Sequence, residues 1–168
     1  MQYSFVVTQD KKDLEQYYAL REACFREDLG IPCFEGGEDE YDREGTVLLA
    51  LDRDRRVLAG ARIYGRRPGQ HQVLPIECQQ FCLRECFPAL ELNRRPYCHW
   101  GRLVISHSVR NSSRFAQDLL QRLISCSAQL GYDFAFLVSD RCRCRYYRQI
   151  HSMLGYDFHI SDVEPPTA

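Results

Sequence analysis

From Thr46 to Gly65 the chain reads TVLLALD, then a polar RDRR, then VLAGARIYG: two β-prone apolar runs joined by a turn. That pattern predicts a β-hairpin, and what surrounds it limits how the sheet is completed. Upstream, YSFVV (3–7) is a short β-prone run, and Leu14, Tyr17, Tyr18, Cys24 and Phe25 take helical spacing over 12–29. Gly30 and Pro32 stop that helix, and an acidic, glycine-bearing loop runs to Gly45. A short helix is expected around 77–90, closed by Pro88. YCHWGRLVIS (97–106) reads as a strand, and the polar Ser108–Ser113 opens a helix with the stripe Phe115, Leu119, Leu120, Leu123, Ile124 and Leu130, capped by Gly131. YDFAFLVSD (132–140) has a buried-strand pattern, 143–154 a helical one ended by Gly155, and YDFHI (156–160) reads as a last strand. A hairpin followed by strand–helix–strand units requires a mixed sheet covered by helices, an α/β (α+β) layer fold.

A chain of 168 residues fits one domain, here 1–168 with a polar tail from about 161, and can bury a real core. Apolar residues at 45% and charged residues at 27% exclude disorder and collagen. No stretch approaches the ~18 apolar residues of a membrane span. MQYSFVVTQD lacks the basic start and long apolar run of a signal peptide, so a reducing cytoplasm is expected. The 22 basic and 23 acidic residues leave a net charge of −1, which offers no bulk attraction to nucleic acid.

Charge is instead segregated along the chain. Six of the ten positions from Glu35 to Glu44 are acidic, whereas Arg141 to Arg148 holds four arginines and no acid. The nine cysteines follow no zinc-finger spacing. They are expected to be buried apolar thiols, and on a helix Cys78, Cys82 and Cys86 would share a face. The Cys142-Arg-Cys144 pair leaves a lesser alternative of metal or redox work.

Three places carry chemistry. Arg21 lies on the apolar stripe of the first helix, where a cation must be paired or must reach a polar pocket. An internal ion pair with the acidic loop and a role organising a substrate site both meet that need, and they are compatible. Asp39 and Asp42, either side of Tyr41, can hold an amine by charge-assisted hydrogen bonds or can simply be solvated. From Val109 to Ala116 a strand passes into a helix N-terminus, which attracts phosphate, and Arg110 and Arg114 add charge. Asn111-Ser-Ser is equally a good N-cap.

Taken in order, these matches resemble the GNAT superfamily of acyltransferases. The nearest branch contains acyl-homoserine-lactone (autoinducer) synthases, N-acyl amino acid synthases and ornithine-lipid N-acyltransferases. The matches are Arg21, Phe25, Leu29 and Gly30 on the first helix, Asp39-Glu-Tyr41-Asp42, Gly60 and Arg62 on the hairpin, and Gly101-Arg102-Leu-Val-Ile on the fourth strand. They span roughly residues 3–160. The chain departs from the branch at His99, where the family carries Glu, and at Ile31, where homoserine-lactone synthases carry Trp. The glycine-rich phosphate loop of ordinary acetyltransferases is Arg110-Asn-Ser-Ser-Arg-Phe here, which favours a long-chain acyl donor over acetyl-CoA.

The resemblance implies a three-layer sandwich with a central mixed, twisted sheet, in a cytoplasmic bacterial enzyme. It implies an N-acyltransferase that moves an acyl group from acyl carrier protein or acyl-CoA to a small amino-acid-like amine, with no metal. Arg21, Phe25, Asp39, Asp42, Arg62 and Trp100 would shape the acceptor pocket. The donor's phosphopantetheine arm would lie along Ile105, Arg110, Asn111, Ser112, Ser113, Arg114 and Phe115. The attacking amine must lose a proton and the oxyanion must be stabilised. His99, with an ordinary pKa of ~6.5, is the candidate base or a structural histidine, and Arg102 is the third catalytic candidate. Tyr147, or its neighbour Tyr146, would protonate the leaving thiolate or simply pack. Arg141–Arg148 would be a landing surface for an acidic carrier protein. The rival reading is a non-catalytic module of this fold that binds an acyl ligand or a protein partner.

Overall fold

The computed structural model describes residues 2–78, 81–161 and 163. Its elements are β1 (Tyr3–Val7), α1 (Lys11–Glu27), α2 (Glu40–Glu44), β2 (Thr46–Asp52), β3 (Val57–Arg66), α3 (Leu83–Cys86), β4 (Tyr97–Ile105), α4 (Ser113–Gln129), β5 (Phe134–Phe136) and α5 (Arg141–Met153), with a 3₁₀ turn at Pro88–Leu90. One five-stranded sheet runs in the order β1-β2-β3-β4-β5. The pairs β1–β2 and β2–β3 are antiparallel and β4–β5 is parallel, so the sheet is mixed as expected. By contact density the chain divides into two units, Met1–Tyr64 with Trp100–Leu119 and Gly65–His99 with Leu120–Ala168.

The first unit is layered. Asp10 caps α1 by accepting hydrogen bonds from the N–H groups of Lys12 and Asp13. The β2–β3 register pairs Val47 with Arg62 and Leu49 with Gly60, which puts all four on one sheet face. Val47, Leu49 and Leu51 pack there with Tyr17 and Cys24 of α1 and with Val104 of β4. Each large side chain so buried stabilises the fold by about 1.5–3 kcal/mol. On the opposite face Tyr3 and Phe5 meet Phe115 of α4, with ring centroids 4.9 and 6.4 Å apart. Helices therefore cover both faces of the sheet in this unit.

In the second unit Leu120, Leu123 and Cys126 of α4 are buried, and the Tyr132 ring lies so close to Gly65 that a Cβ there would stand 2.3 Å from it. Several expectations need correction here. The strand expected over 132–140 pairs with β4 for only three residues, Phe134 to Phe136, and Val138 is exposed. The 156–160 run is not a strand. Its local contacts turn back on α5: the Tyr156 N–H donates to the His151 carbonyl at 2.9 Å, and Phe158 packs on the His151 ring.

The helix expected around 77–90 is broken into a bridge between Cys78 and Phe81, the four residues of α3, and the 3₁₀ turn. The Glu77 carboxylate accepts from the N–H groups of Leu74 and Leu83 and so fastens a turn where a helix would have to propagate. The three cysteines at 78, 82 and 86 do not share a helix. Cys24, Cys98 and Cys126 are buried as expected, but Cys33, Cys78 and Cys142 are exposed and Cys82, Cys86 and Cys144 are half-buried. No group of three or more metal-ligating side chains occurs among the described residues, nor does a helix long and apolar enough to cross a membrane.

Candidate functional site

The acidic loop closes with the short helix α2. Asp39 is its N-cap and forms a reciprocal capping box with Asp42: each carboxylate accepts from the other residue's N–H, at 2.9 and 3.1 Å. This places both carboxylates beside Arg21 and Arg62, whose side chains are almost fully buried. Arg21 Nη1 donates to both Asp42 oxygens, at 3.1 and 2.9 Å. Its Nε donates to the Gly36 carbonyl at 3.0 Å, and its Nη2 to the Gly37 carbonyl. Arg62 Nη1 bridges the two aspartates, with 2.6 and 2.7 Å to Asp39 and 3.2 Å to Asp42. Its Nε is buried without a hydrogen-bond partner among the described residues, a donor whose desolvation costs about 1–3 kcal/mol.

Aromatic rings complete the enclosure. Arg21 lies over Tyr17 and Tyr18, and Arg62 over Tyr41, at 4.8–5.3 Å from the ring centroids. Phe25 and Phe34 stack at 4.3 Å, and Arg102 sits over both. Arg102 approaches Asp39 at 3.9 Å with its side chain about one-third exposed. Three guanidinium groups thus face two carboxylates, and the surplus positive charge is on the most accessible of them.

The backbone of Arg102 is itself unusual. Its φ is +56° within β4, a left-handed conformation that costs a non-glycine residue about 1–3 kcal/mol. The Tyr17 hydroxyl holds it by donating to the Arg102 carbonyl at 2.9 Å. Tyr17 reaches that carbonyl because Gly60 has no side chain: a Cβ there would come within 2.4 Å of the ring.

Burial and charge set the ionisations. Burial raises the Asp39 carboxyl, but hydrogen bonds and charge from Arg62 outweigh it and hold Asp39 below the usual carboxylate range. Burial lowers Arg102, and the neighbouring Arg62 and Arg21 lower it further. Burial pushes the Tyr17 phenol well up, and burial with Asp42 nearby pushes Tyr18 up to about 12.

Of the residues expected at the acceptor pocket, Arg21, Phe25, Asp39, Asp42 and Arg62 come together in the first unit, with Arg102. Trp100 is buried in the same unit. His99 is buried in the second unit, and Tyr147 lies half-buried on α5 there, its phenol raised by burial. Ser112 Oγ accepts from the Phe115 N–H at 3.2 Å, and the Phe115 side chain is buried in the core, so it offers a donor arm no surface. Arg110 and Arg114 are held by Asp28 and Asp118. Tyr17, Tyr18, Phe34 and the Gly36 and Gly37 carbonyls belong to the site although the residue pattern alone did not single them out. The tyrosines were legible as stripe residues flanking Arg21; the carbonyls left no signal.

No protein-family profile matches the chain, and no curated protein matches it in sequence. Solved structures do match in fold. An acetyltransferase from Trypanosoma brucei is 13% identical over 99% of this chain and 100% of its own, with a TM-score of 0.61. An aminoglycoside acetyltransferase from an uncultured soil metagenomic sample is 16% identical over the whole of both chains, at 0.59. A ribosomal-protein-alanine N-acetyltransferase from Brucella melitensis is 12% identical over 99% of this chain and 98% of its own, at 0.60. At these identities the likeness concerns the fold, and the GNAT-like α/β architecture expected above is the one found.

Proposed function

We propose that this protein is an N-acyltransferase that moves an acyl group from a thioester donor, acyl carrier protein or acyl-CoA, to the amine of a small amino-acid-like acceptor in the cytoplasm. The observation that carries the reading is the buried Arg21–Asp42–Arg62–Asp39 cluster with Arg102 at its accessible edge, set in a fold shared with acetyltransferases. The partly exposed Arg102 suits a carboxylate, and the partly exposed Asp39 suits an amine. An amino-acid-like acceptor carries both groups.

The acceptor nitrogen attacks the thioester carbonyl, the carbon–sulfur bond breaks, and the acyl group ends on nitrogen as an amide. The nitrogen gives up a proton in that step, and the family resemblance offers His99 as the base. The departing thiolate takes up a proton, and the resemblance offers Tyr147, a phenol kept protonated by burial, as its source. The N–H groups of Asn111, Ser113 and Arg114 at the start of α4 would steady the donor's phosphate. The exposed Arg145 and Arg148 on α5 give an acidic carrier protein a surface to dock on. The direct test offers the purified protein long-chain acyl-CoA or acyl carrier protein with a panel of amino acids and follows thiol release. Thiol release that depends on the amine is expected, with loss in Arg102→Ala; release by none of the pairs would overturn the reading and favour a binding module.

A further inference from the structure

The two arginines expected to meet the donor's phosphates already carry resident carboxylates. Arg110 faces Asp28 at the end of α1 with its two-nitrogen edge: Nη1 donates to Oδ1 at 3.0 Å and Nη2 to Oδ2 at 2.6 Å. Its Nη2 also donates to the Ile105 carbonyl at 3.2 Å and lies 3.9 Å from Cys24 Sγ. That edge is the one a phosphate would engage with two parallel hydrogen bonds. Asp28 is further held by His107, whose Nε2 lies 3.2 Å from Oδ1. The Arg110 hydrogen bonds and charge keep the Asp28 carboxyl below its ordinary range. Arg114 donates through Nε to both oxygens of Asp118, at 3.1 and 3.2 Å, but its side chain is largely exposed. The loop is therefore closer to neutral than its residue types suggest.

We infer that Asp28 sets the donor charge this protein accepts: it occupies the anion-binding edge of Arg110, so an incoming phosphate gains little from that arginine. The inference rests on the donor reading above and deepens it. A donor arm with a single phosphate asks little of that arginine, whereas the additional phosphates of a nucleotide-bearing donor find the two-nitrogen edge of Arg110 already taken by Asp28. Asp28 is thus a specificity residue that acts through Arg110, and its removal strengthens anion binding. A merely structural ion pair predicts the opposite sign.

The test measures binding of CoA, 4′-phosphopantetheine and pantetheine by calorimetry to the wild type, Asp28→Asn, Arg110→Gln and the double variant, with melting temperatures alongside. Asp28→Asn should tighten CoA by about tenfold and 4′-phosphopantetheine by about threefold, and leave pantetheine unchanged. The gain should vanish in the double variant. Arg110→Gln alone should weaken CoA by about tenfold, because it leaves the Asp28 carboxylate uncompensated, whereas the double variant should bind CoA as the wild type does, because a guanidinium committed to Asp28 gives the phosphate nothing to lose. The double variant keeps the test decisive if Asp28→Asn does not fold. Unchanged or weaker CoA binding in a folded Asp28→Asn protein, or a tenfold loss in the double variant, overturns the inference. Failure of the wild type to bind any of the three overturns the donor reading and this inference with it.

Discussion

The first unit holds two sets of arginine–aspartate pairs that share chemistry and differ in burial. Arg21 and Asp42 have side chains 1% and 0% exposed, whereas those of Arg110 and Asp28 are 32% and 24% exposed. In the buried cluster, water cannot take over when a partner is lost, so each guanidinium and carboxylate must be matched to several protein groups. At the α4 loop, solvent and salt screen the pairs. The contrast teaches that the same residue types build a rigid platform in one place and an adjustable, competing contact in the other.

Breaking the buried side should have the largest effect. Arg21→Ala leaves Asp42 without its main counter-ion and the Gly36 and Gly37 carbonyls without their donor, and should cost about 3–5 kcal/mol, with loss of turnover. Chemical denaturation of Arg21→Ala and Arg21→Lys checks this; a cost below ~1 kcal/mol would place the cluster with the exposed pairs. Gly60→Ala comes next, because its Cβ would stand 2.4 Å from Tyr17 and 2.7 Å from Leu49. Overpacking of that kind costs about 1–3 kcal/mol. Displacing Tyr17 should also release the strained Arg102 carbonyl, so activity should fall more than stability. Parallel assays of Gly60→Ala and Tyr17→Phe separate the two effects.

Acid sharpens the comparison. The Asp39 carboxyl is held below the ~3.9 of an unfolded aspartate. Its contribution to stability is therefore fully present above the unfolded value and is lost as pH falls through the folded one. Asp28 is lowered in the same direction. Melting temperature should drop between about pH 5 and pH 2.5, less steeply in Asp39→Asn; an identical slope in that variant would show that its carboxylate is not involved. The smallest effect belongs to the exposed pair. Arg114→Gln should change stability by no more than about 0.5 kcal/mol, and thermal melts at low and high salt should show the difference shrinking as salt rises.

Much of this was legible in local pattern. The hairpin, α1, α4 and α5 follow from side-chain periodicity and from Gly131 and Gly155, both at positive φ where their helices end. Arg21 stood out because a cation on an apolar stripe must find a partner. At 77–90 the Glu77 carboxylate fastens a turn where a helix was expected, whereas the misreadings at 132–140 and 156–160 share a cause. A short apolar run becomes a strand only where a neighbouring strand meets its N–H and C=O groups, and β5 finds β4 for three residues only.

The order of residues by itself determined the hairpin and the three long helices, which of their faces are apolar, and that Arg21 needed a partner. Tertiary structure alone decided which one. Asp42 is 21 residues away from Arg21, and Asp39 is 23 from Arg62; the distance closes when α1 and β3 pack on one sheet face and the capping box of α2 turns both carboxylates toward them. The left-handed turn of Arg102 was likewise invisible in its own neighbourhood. It exists because a tyrosine 85 residues earlier, seated on a bare glycine, pins its carbonyl. Such long-range contacts carry no local signature, since each residue type in them is ordinary until the fold brings its partner within hydrogen-bonding distance.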